Sequence, residues 1–347
     1  MTPHFTNVLF LFNFNGFHFD RDVLCRVAYS FIKEGEDFEK PVGEFLLDWF
    51  DEKPYMEMQT SGSTGLPKSI QVDKQAMVHS ALATGDFFDL KPGDRALQCL
   101  PVKYVAGKMM LIRSIVLGLD LDYVAPTSHP MERLEDKYDF AAMVPLQAQC
   151  SIPKLGQIKK LIVGGARINA VLEQQLMQLP TQVFETYGMT ETITHIAAKR
   201  VGEKAFTVLP HVTISYDERN CLVIHAPHII AEETVVTNDL VELVNENQFV
   251  FLGRIDNIIN SGGVKILPEQ VEQKLDGKLD RRFFISSEED PELGDKVVLI
   301  VEVEPFDISP ETYERLDKYE RPKAIHFIPH FTETENGKII RKEFLIN

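Results

Sequence analysis

The sequence predicts an α/β protein in two parts, a large first domain and a small α+β second one. Short apolar runs alternate with helix-patterned segments through most of the chain. After about residue 200 strand-like segments follow one another closely, and from about residue 257 a fresh α+β pattern begins. A length of 347 residues suits two domains better than one, and 44% hydrophobic with 25% charged residues is a soluble globular composition.

The elements follow in order. The segment 8–12 is apolar, but no Lys or Arg precedes it, Asn13 and Asn15 interrupt it, and no small-residue cleavage site follows. It reads as a buried strand rather than a leader. No apolar run approaches the length of a membrane span. Asp73 is an N-cap candidate for a helix over 73–84, with Gly85 as its stop. The turn Lys91-Pro92-Gly93-Asp94 leads into a strand at 96–100. A buried strand at 161–163 ends at Gly164-Gly165, and a helix from near Asn169 sets Leu172, Leu176 and Leu179 on one face. Strand-like segments at 221–225, 234–236 and 248–252 suggest a small antiparallel or barrel-like layer. Pro268 opens a helix that closes near Gly277, a strand follows at 296–303, Ser309 and Pro310 start a short helix, and the last strand covers 325–328.

The formal net charge of −16 argues against nucleic-acid or anionic-membrane partners, so an anionic substrate needs a local patch of Lys, Arg or backbone N–H donors. Cys25, Cys99, Cys150 and Cys221 are scattered, without CxxC spacing or a nearby His pair. They read as reduced thiols rather than a zinc site, which places the protein in the cytoplasm.

Chemistry concentrates first at Thr60-Ser61-Gly62-Ser63-Thr64-Gly65-Leu66-Pro67-Lys68, expected between a strand and a helix. Glycines let successive N–H groups point at a ligand, hydroxyls add donors, Lys68 adds charge and a following helix would add its dipole. Pro67 occupies the place before Lys68, so this is not a Walker A loop; taken alone, the segment could equally be a solvated turn. The segment resembles the signature of the adenylate-forming superfamily of acyl-CoA synthetases, peptide-synthetase adenylation domains and luciferases. Four more motifs continue the resemblance in order, almost to the C-terminus.

Gly164-Gly165-Ala166 ends a strand in small residues, against which a flat base can lie; the family borders adenine here. In Thr186-Tyr187-Gly188-Met189-Thr190-Glu191-Thr192 the resemblance implies Tyr187 and Gly188 at the adenine, Thr190 at the α-phosphate and Glu191 on Mg²⁺. As single residues, Tyr187 would pass for a core aromatic and Glu191 for a solvated charge. The resemblance assigns Asp239 and Arg254 to the ribose, and Asp256 to the interdomain hinge. Asn238 replaces a frequent glycine, and Asn tolerates the positive φ that a turn there would need. Gly262 and Gly263 fall in a segment like the loop that lines the pantetheine tunnel, and Lys338 matches the family's catalytic lysine.

The implied fold is therefore the adenylate-forming enzyme fold, with an N-terminal adenylation domain over 1–255, a mobile C-terminal domain over 257–347 and a hinge at Asp256. Only 59 residues precede the phosphate loop, so the large domain is trimmed at its start, leaving surface that a homodimer would cover. The implied chemistry is an acid–CoA ligase using a small carboxylic acid, ATP, Mg²⁺ and coenzyme A, with Lys68, Glu191 and Lys338 managing charge and the Thr190 hydroxyl among the catalytic groups. Lys103, Lys108 and Arg113 form a basic stretch, Tyr104 stands where the family's gating histidine would be, and His195 is a further candidate contact for the acid. That stretch suits a second substrate carboxylate and looks most like the o-succinylbenzoate–CoA ligases. A carrier-loading adenylating enzyme would carry an early Asp for an amino group, and none is placed. A non-catalytic relic would have no need of Lys68, Glu191 and Lys338 together.

Overall fold

The structure, a computed structural model, describes residues 2–59, 69–230, 232–279, 281–333 and 339–341. The chain divides into two compact units. The first comprises 1–168, 172–214 and 224–235, and the second 169–171, 215–223 and 236–347.

In chain order the first part contains β1 (Asn13–Phe14), β2 (Phe17–His18), α1 (Arg21–Glu34), α2 (Lys40–Phe50), β3 (Tyr55–Gln59), β4 (Ser69–Asp73), α3 (Lys74–Phe87), β5 (Arg95–Gln98), α4 (Val105–Leu117), β6 (Asp120–Tyr123), β7 (Tyr138–Met143), α5 (Pro145–Ser151), β8 (Ile158–Val163), α6 (Ala170–Met177), β9 (Gln182–Gly188), β10 (His195–Arg200) and β11 (Phe206–Val208). One mixed sheet in the order β11-β10-β9-β8-β7-β5-β6-β1-β2 forms the frame. From β9 through β1 neighbours are parallel, while β10, β11 and β2 run antiparallel to theirs. Strands buried on both faces read as apolar runs rather than alternations, and β7 carries Phe140, Ala141, Ala142 and Met143 in succession, all buried.

Several expectations are corrected. The apolar run at 8–12 is not a strand: Leu9, Phe10 and Leu11 are exposed, and pairing begins only at Asn13. The segment 60–68 does not join a strand to a helix. It links β3 to β4, which pair antiparallel from Tyr55–Asp73 to Gln59–Ser69, and α3 begins only at Lys74. A five-residue strand thus intervenes between residue 68 and the helix N-terminus, so the expected helix does not follow directly. Asp73 does cap α3, accepting from the Ala76 N–H at 2.7 Å. Gly85 does not stop α3, which continues to Phe87; the backbone reverses at Asp89, φ +48°. Gly85 is instead buried where α3 meets α4, and a Cβ there would lie 2.7 Å from Leu117 Cδ2.

The second unit holds, from Val236 onward, the hairpin of β14 (Thr234–Asn245, after β12 at Thr213–Tyr216 and β13 at Cys221–His225) with β15 (Gln248–Arg254). It continues through β16 (Ile259–Ser261), β17 (Val264–Ile266), α7 (Pro268–Leu275), β18 (Phe283–Asp290), β19 (Gly294–Glu302) and β20 (Ala324–Ile328). These last strands form a sheet in the order β17-β16-β19-β18, with β20 parallel to β19. Ile266, Val271, Leu275, Ile285, Val297 and Leu299 fill its core. The element expected after Ser309 is a single 3₁₀ turn over Pro310–Tyr313. Arg341 grips buried Glu272 of α7 at 2.8 and 3.0 Å, tying the end of the described chain to the unit. No helix among the described residues is long and apolar enough to cross a membrane.

Helices α1 and α2 cross at Gly43, where a Cβ would sit 2.5 Å from the Ala28 carbonyl oxygen and 2.8 Å from Ile32 Cγ1. Gly43→Ala is expected to push them apart and destabilise the first unit by about 1–3 kcal/mol, as overpacking does. A denaturant midpoint at unchanged slope checks this; a midpoint equal to wild type would contradict the crossing.

Candidate active site

Ligands of parallel sheets collect at the carboxyl ends of the strands, and two of the motifs lie there side by side. Register pairs Val163 of β8 with Glu185 of β9, which brings Gly164 beside Thr186. A Cβ on Gly164 would stand 2.5 Å from Thr186 Oγ1, and Gly165 has φ +86°. Gly165 and Ala166 are exposed, so this edge offers bare backbone to a flat ring. Tyr187 is half-buried, its ring centroid 5.8 Å from that of Phe206.

Gly188 has a physical reason to be glycine. A Cβ there would lie 2.4 Å from the Thr194 carbonyl oxygen and 2.5 Å from His195 Cα, both backbone atoms. The chain between them makes a 3₁₀ turn over Thr190–Thr192 and then reverses about Ile193, at φ +64° and ψ −54°. The Thr194 N–H donates to the Thr192 carbonyl at 2.6 Å across this reversal, while the Thr192 hydroxyl donates to the Thr194 carbonyl at 2.7 Å. Such a conformation in a β-branched residue is strained and marks functional turns. Thr190 is half-buried, whereas Glu191 is exposed and makes no ion pair among the described residues. Its oxygens fit Mg²⁺, which takes one or two carboxylates besides phosphate oxygens.

Behind this turn lies a cluster that charge patterning only half revealed. Arg113 of α4 is 2% exposed, yet no carboxylate pairs with it among the described residues. Its Nε donates to the Thr84 hydroxyl oxygen at 3.3 Å, and its Nη2 reaches Thr194 Oγ1 at 3.3 Å and His195 Nδ1 at 3.4 Å. Burial pushes the Arg113 guanidinium down, though from so high an ordinary value that it stays charged near neutrality. Burial first, and the Arg113 charge second, hold the His195 imidazole well below its ordinary range. The structure therefore joins two expected basic residues, Arg113 and His195. It adds Thr84, for which a mid-helix threonine gives no sequence signal.

The rest of the basic stretch goes elsewhere. Lys103 is exposed, with its ammonium 4.7 Å from the ring centroid of half-buried Tyr104. Lys108 has Asp48 and Glu44 of α2 as its charged neighbours, and burial pushes its ammonium down. Five helical positions rotate by about 140° between Lys108 and Arg113, so the two face different ways.

In the second unit Arg254 stands 3.6 Å from Asp239 and 3.2 Å from Asp256. Asn238 needs no turn or positive φ: it lies inside β14, and its amide donates to the Asp256 carboxylate at 3.0 Å while accepting from Arg219 at 3.1 Å. Gly262 and Gly263, at φ +57° and +81°, are the two central residues of the tight β16–β17 hairpin, where positive φ at both positions requires glycine-like residues. Thr60, Ser61, Gly62, Ser63, Thr64, Gly65, Lys68 and Lys338 lie outside the described residues.

The model of the family described as AMP-binding enzyme matches residues 43–216, which include the β8 and β9 motif edge and the Arg113 cluster. The chain belongs to that family. It is 25% identical to the 2-succinylbenzoate–CoA ligase of Haemophilus influenzae over 94% of this chain and 75% of that one. An AMP-forming acyl-CoA synthetase/AMP-acid ligase II-like protein from Dyadobacter fermentans superimposes with a TM-score of 0.63 at 35% identity, covering 92% of this chain and 96% of that one. The o-succinylbenzoate coenzyme A synthetase of Bacillus subtilis, solved with ATP and magnesium, shares the fold at a TM-score of 0.71 and 22% identity, over 83% of this chain and 69% of that one. The AMP-binding family thus carries the adenylate-forming fold here, and the chain is an AMP-forming ligase.

The depressed His195 has a consequence for stability. The native state resists a proton that the unfolded chain accepts near pH 6.5. The stability tied to neutral His195 is intact above that pH and lost as pH falls below it. His195→Gln is expected to flatten the loss of stability between about pH 6.5 and 5. Unfolding midpoints across that range check it, and parallel curves for variant and wild type would contradict a neutral buried imidazole.

Proposed function

We propose that the chain activates o-succinylbenzoate with ATP and passes the acyl group to coenzyme A, the ligase step of menaquinone biosynthesis. The observation that carries the substrate is Arg113. A guanidinium buried without a carboxylate is costly and calls for an anion, and a substrate with a second carboxylate supplies one. The relatives named for 2-succinylbenzoate or o-succinylbenzoate support this choice.

In this proposal the hydroxyls and glycines Thr60 to Gly65, with Lys68, hold the β- and γ-phosphates, and Thr190 meets the α-phosphate. Gly164, Gly165, Ala166, Tyr187 and Gly188 border adenine, and Asp239 and Arg254 hold the ribose. One substrate carboxylate attacks the α-phosphorus; a P–O bond forms, the bond to pyrophosphate breaks, and an acyl-adenylate results. Mg²⁺ held by Glu191 would neutralise phosphate charge. Lys338 places an ammonium where two anions meet, which offsets their repulsion. The C-terminal domain then rotates about Asp256 and brings the Gly262-Gly263 turn to the pantetheine arm. The thiol loses its proton, attacks the mixed anhydride and expels AMP. The cytoplasm, where coenzyme A and ATP are plentiful, suits this reaction.

AMP release with ATP and Mg²⁺ is expected to be CoA-dependent and brisk with o-succinylbenzoate, and weak with medium-chain fatty acids. Lys338→Ala is expected to slow adenylate formation at least about 100-fold, the scale of a lost charge-stabilising group. Brisk turnover of fatty acids alone would overturn the substrate, and full-rate adenylation by Lys338→Ala would overturn the role of the lysine.

A further inference from the structure

We propose that Thr84 and His195 are positioning residues for specificity: together they lock the Arg113 guanidinium so that its Nη1 edge alone is left to receive the substrate's second carboxylate. This rests on the substrate reading above.

Donor accounting carries it. A guanidinium only donates, so His195 Nδ1, 3.4 Å from Arg113 Nη2, must present its lone pair. The imidazole is neutral, so its proton sits on Nε2, which lies 3.4 Å from Thr84 Oγ1 and donates to it. Thr84 Oγ1 also accepts from Arg113 Nε at 3.3 Å, which commits its own proton to another acceptor. The Ser80 carbonyl, 3.0 Å away within α3, takes that proton. The Thr194 hydroxyl, also 3.4 Å from His195 Nδ1, shares that acceptor, and Thr84, His195 and Arg113 are each held by the other two.

Arg113 Nε and Nη2 are spent on this ring and on Thr194. Nη1 makes no hydrogen bond among the described residues. Thr84, Arg113 and His195 are at most 7% exposed, while Thr194, on the strained turn, is only half-buried. The three anchors come from α3, α4 and β10, so the guanidinium plane is fixed from three sides. A pre-oriented fork loses less freedom on meeting a carboxylate than a free one does.

The test compares kcat/KM for o-succinylbenzoate with that for 4-oxo-4-phenylbutanoate, the same acid without its ring carboxylate. Thr84→Val keeps the shape and removes the hydroxyl. It is expected to lower the preference for the diacid about tenfold, through KM, as a lost buried hydrogen bond to a charge does. Thr84→Ser is expected to restore the preference. From the β10 side, His195→Gln can accept from Arg113 and donate to Thr84 and is expected to keep the preference, whereas His195→Phe loses it. A merely structural Thr84 would lower both substrates alike and leave their ratio at the wild-type value, which would overturn the proposal. A wild-type enzyme with no preference for the diacid would instead overturn the substrate reading beneath it.

Discussion

A positive charge buried behind the turn that follows β9 constrains much of what surrounds it. Arg113 lies on a helix that is buried along nearly its whole length, and the guanidinium is almost wholly removed from water. A charge so placed is costly unless its donors are met, and here Nε and Nη2 meet hydroxyls and an imidazole rather than a carboxylate, while Nη1 meets no partner among the described residues. That choice leaves a net positive site inside a chain of net charge −16. A local attraction of this kind is what an acidic protein needs to hold an acidic substrate.

The same constraint reaches into the backbone. His195 can face Arg113 only because β10 begins where it does, directly after the reversal at Ile193. That reversal is possible because Gly188 lets the strand end pass within 2.5 Å of where a side chain would begin. The motif that resembles an adenine and α-phosphate contact therefore has a second use. Its glycine and its strained turn also set the depth at which the Thr84, Arg113 and His195 cluster lies, and under the proposed function the nucleotide and the acid would share that piece of backbone.

Much of this was legible beforehand because it is written in local chemistry. Asp73 announced a helix start and Pro268 another, whereas the tight hairpin at Gly262-Gly263 came only from the structure. The family resemblance rested on residue patterns that survive at 25% identity or less. What stayed hidden depends on tertiary placement. Gly85 looked like a helix stop because a buried helix crossing and an exposed end use the same residue. Asn238 looked like a turn residue, although its amide in fact bridges Arg219 and Asp256 within a strand. The apolar run at 8–12 had the composition of a strand but lies outside the sheet. Lys103, Lys108 and Arg113 looked like one basic patch because sequence does not show helical phase. Thr84 was invisible, since nothing in a mid-helix threonine says that an arginine from the next helix will find it.

Whether Arg113 reads a second carboxylate is decided by a cycle that removes each charge separately. Arg113→Met is measured against o-succinylbenzoate and against its analogue without the ring carboxylate. The variant is expected to lose about 100-fold in kcat/KM with the diacid, about 2.7 kcal/mol, but only about threefold with the analogue. Equal losses with both acids would mean that Arg113 holds the fold rather than the substrate.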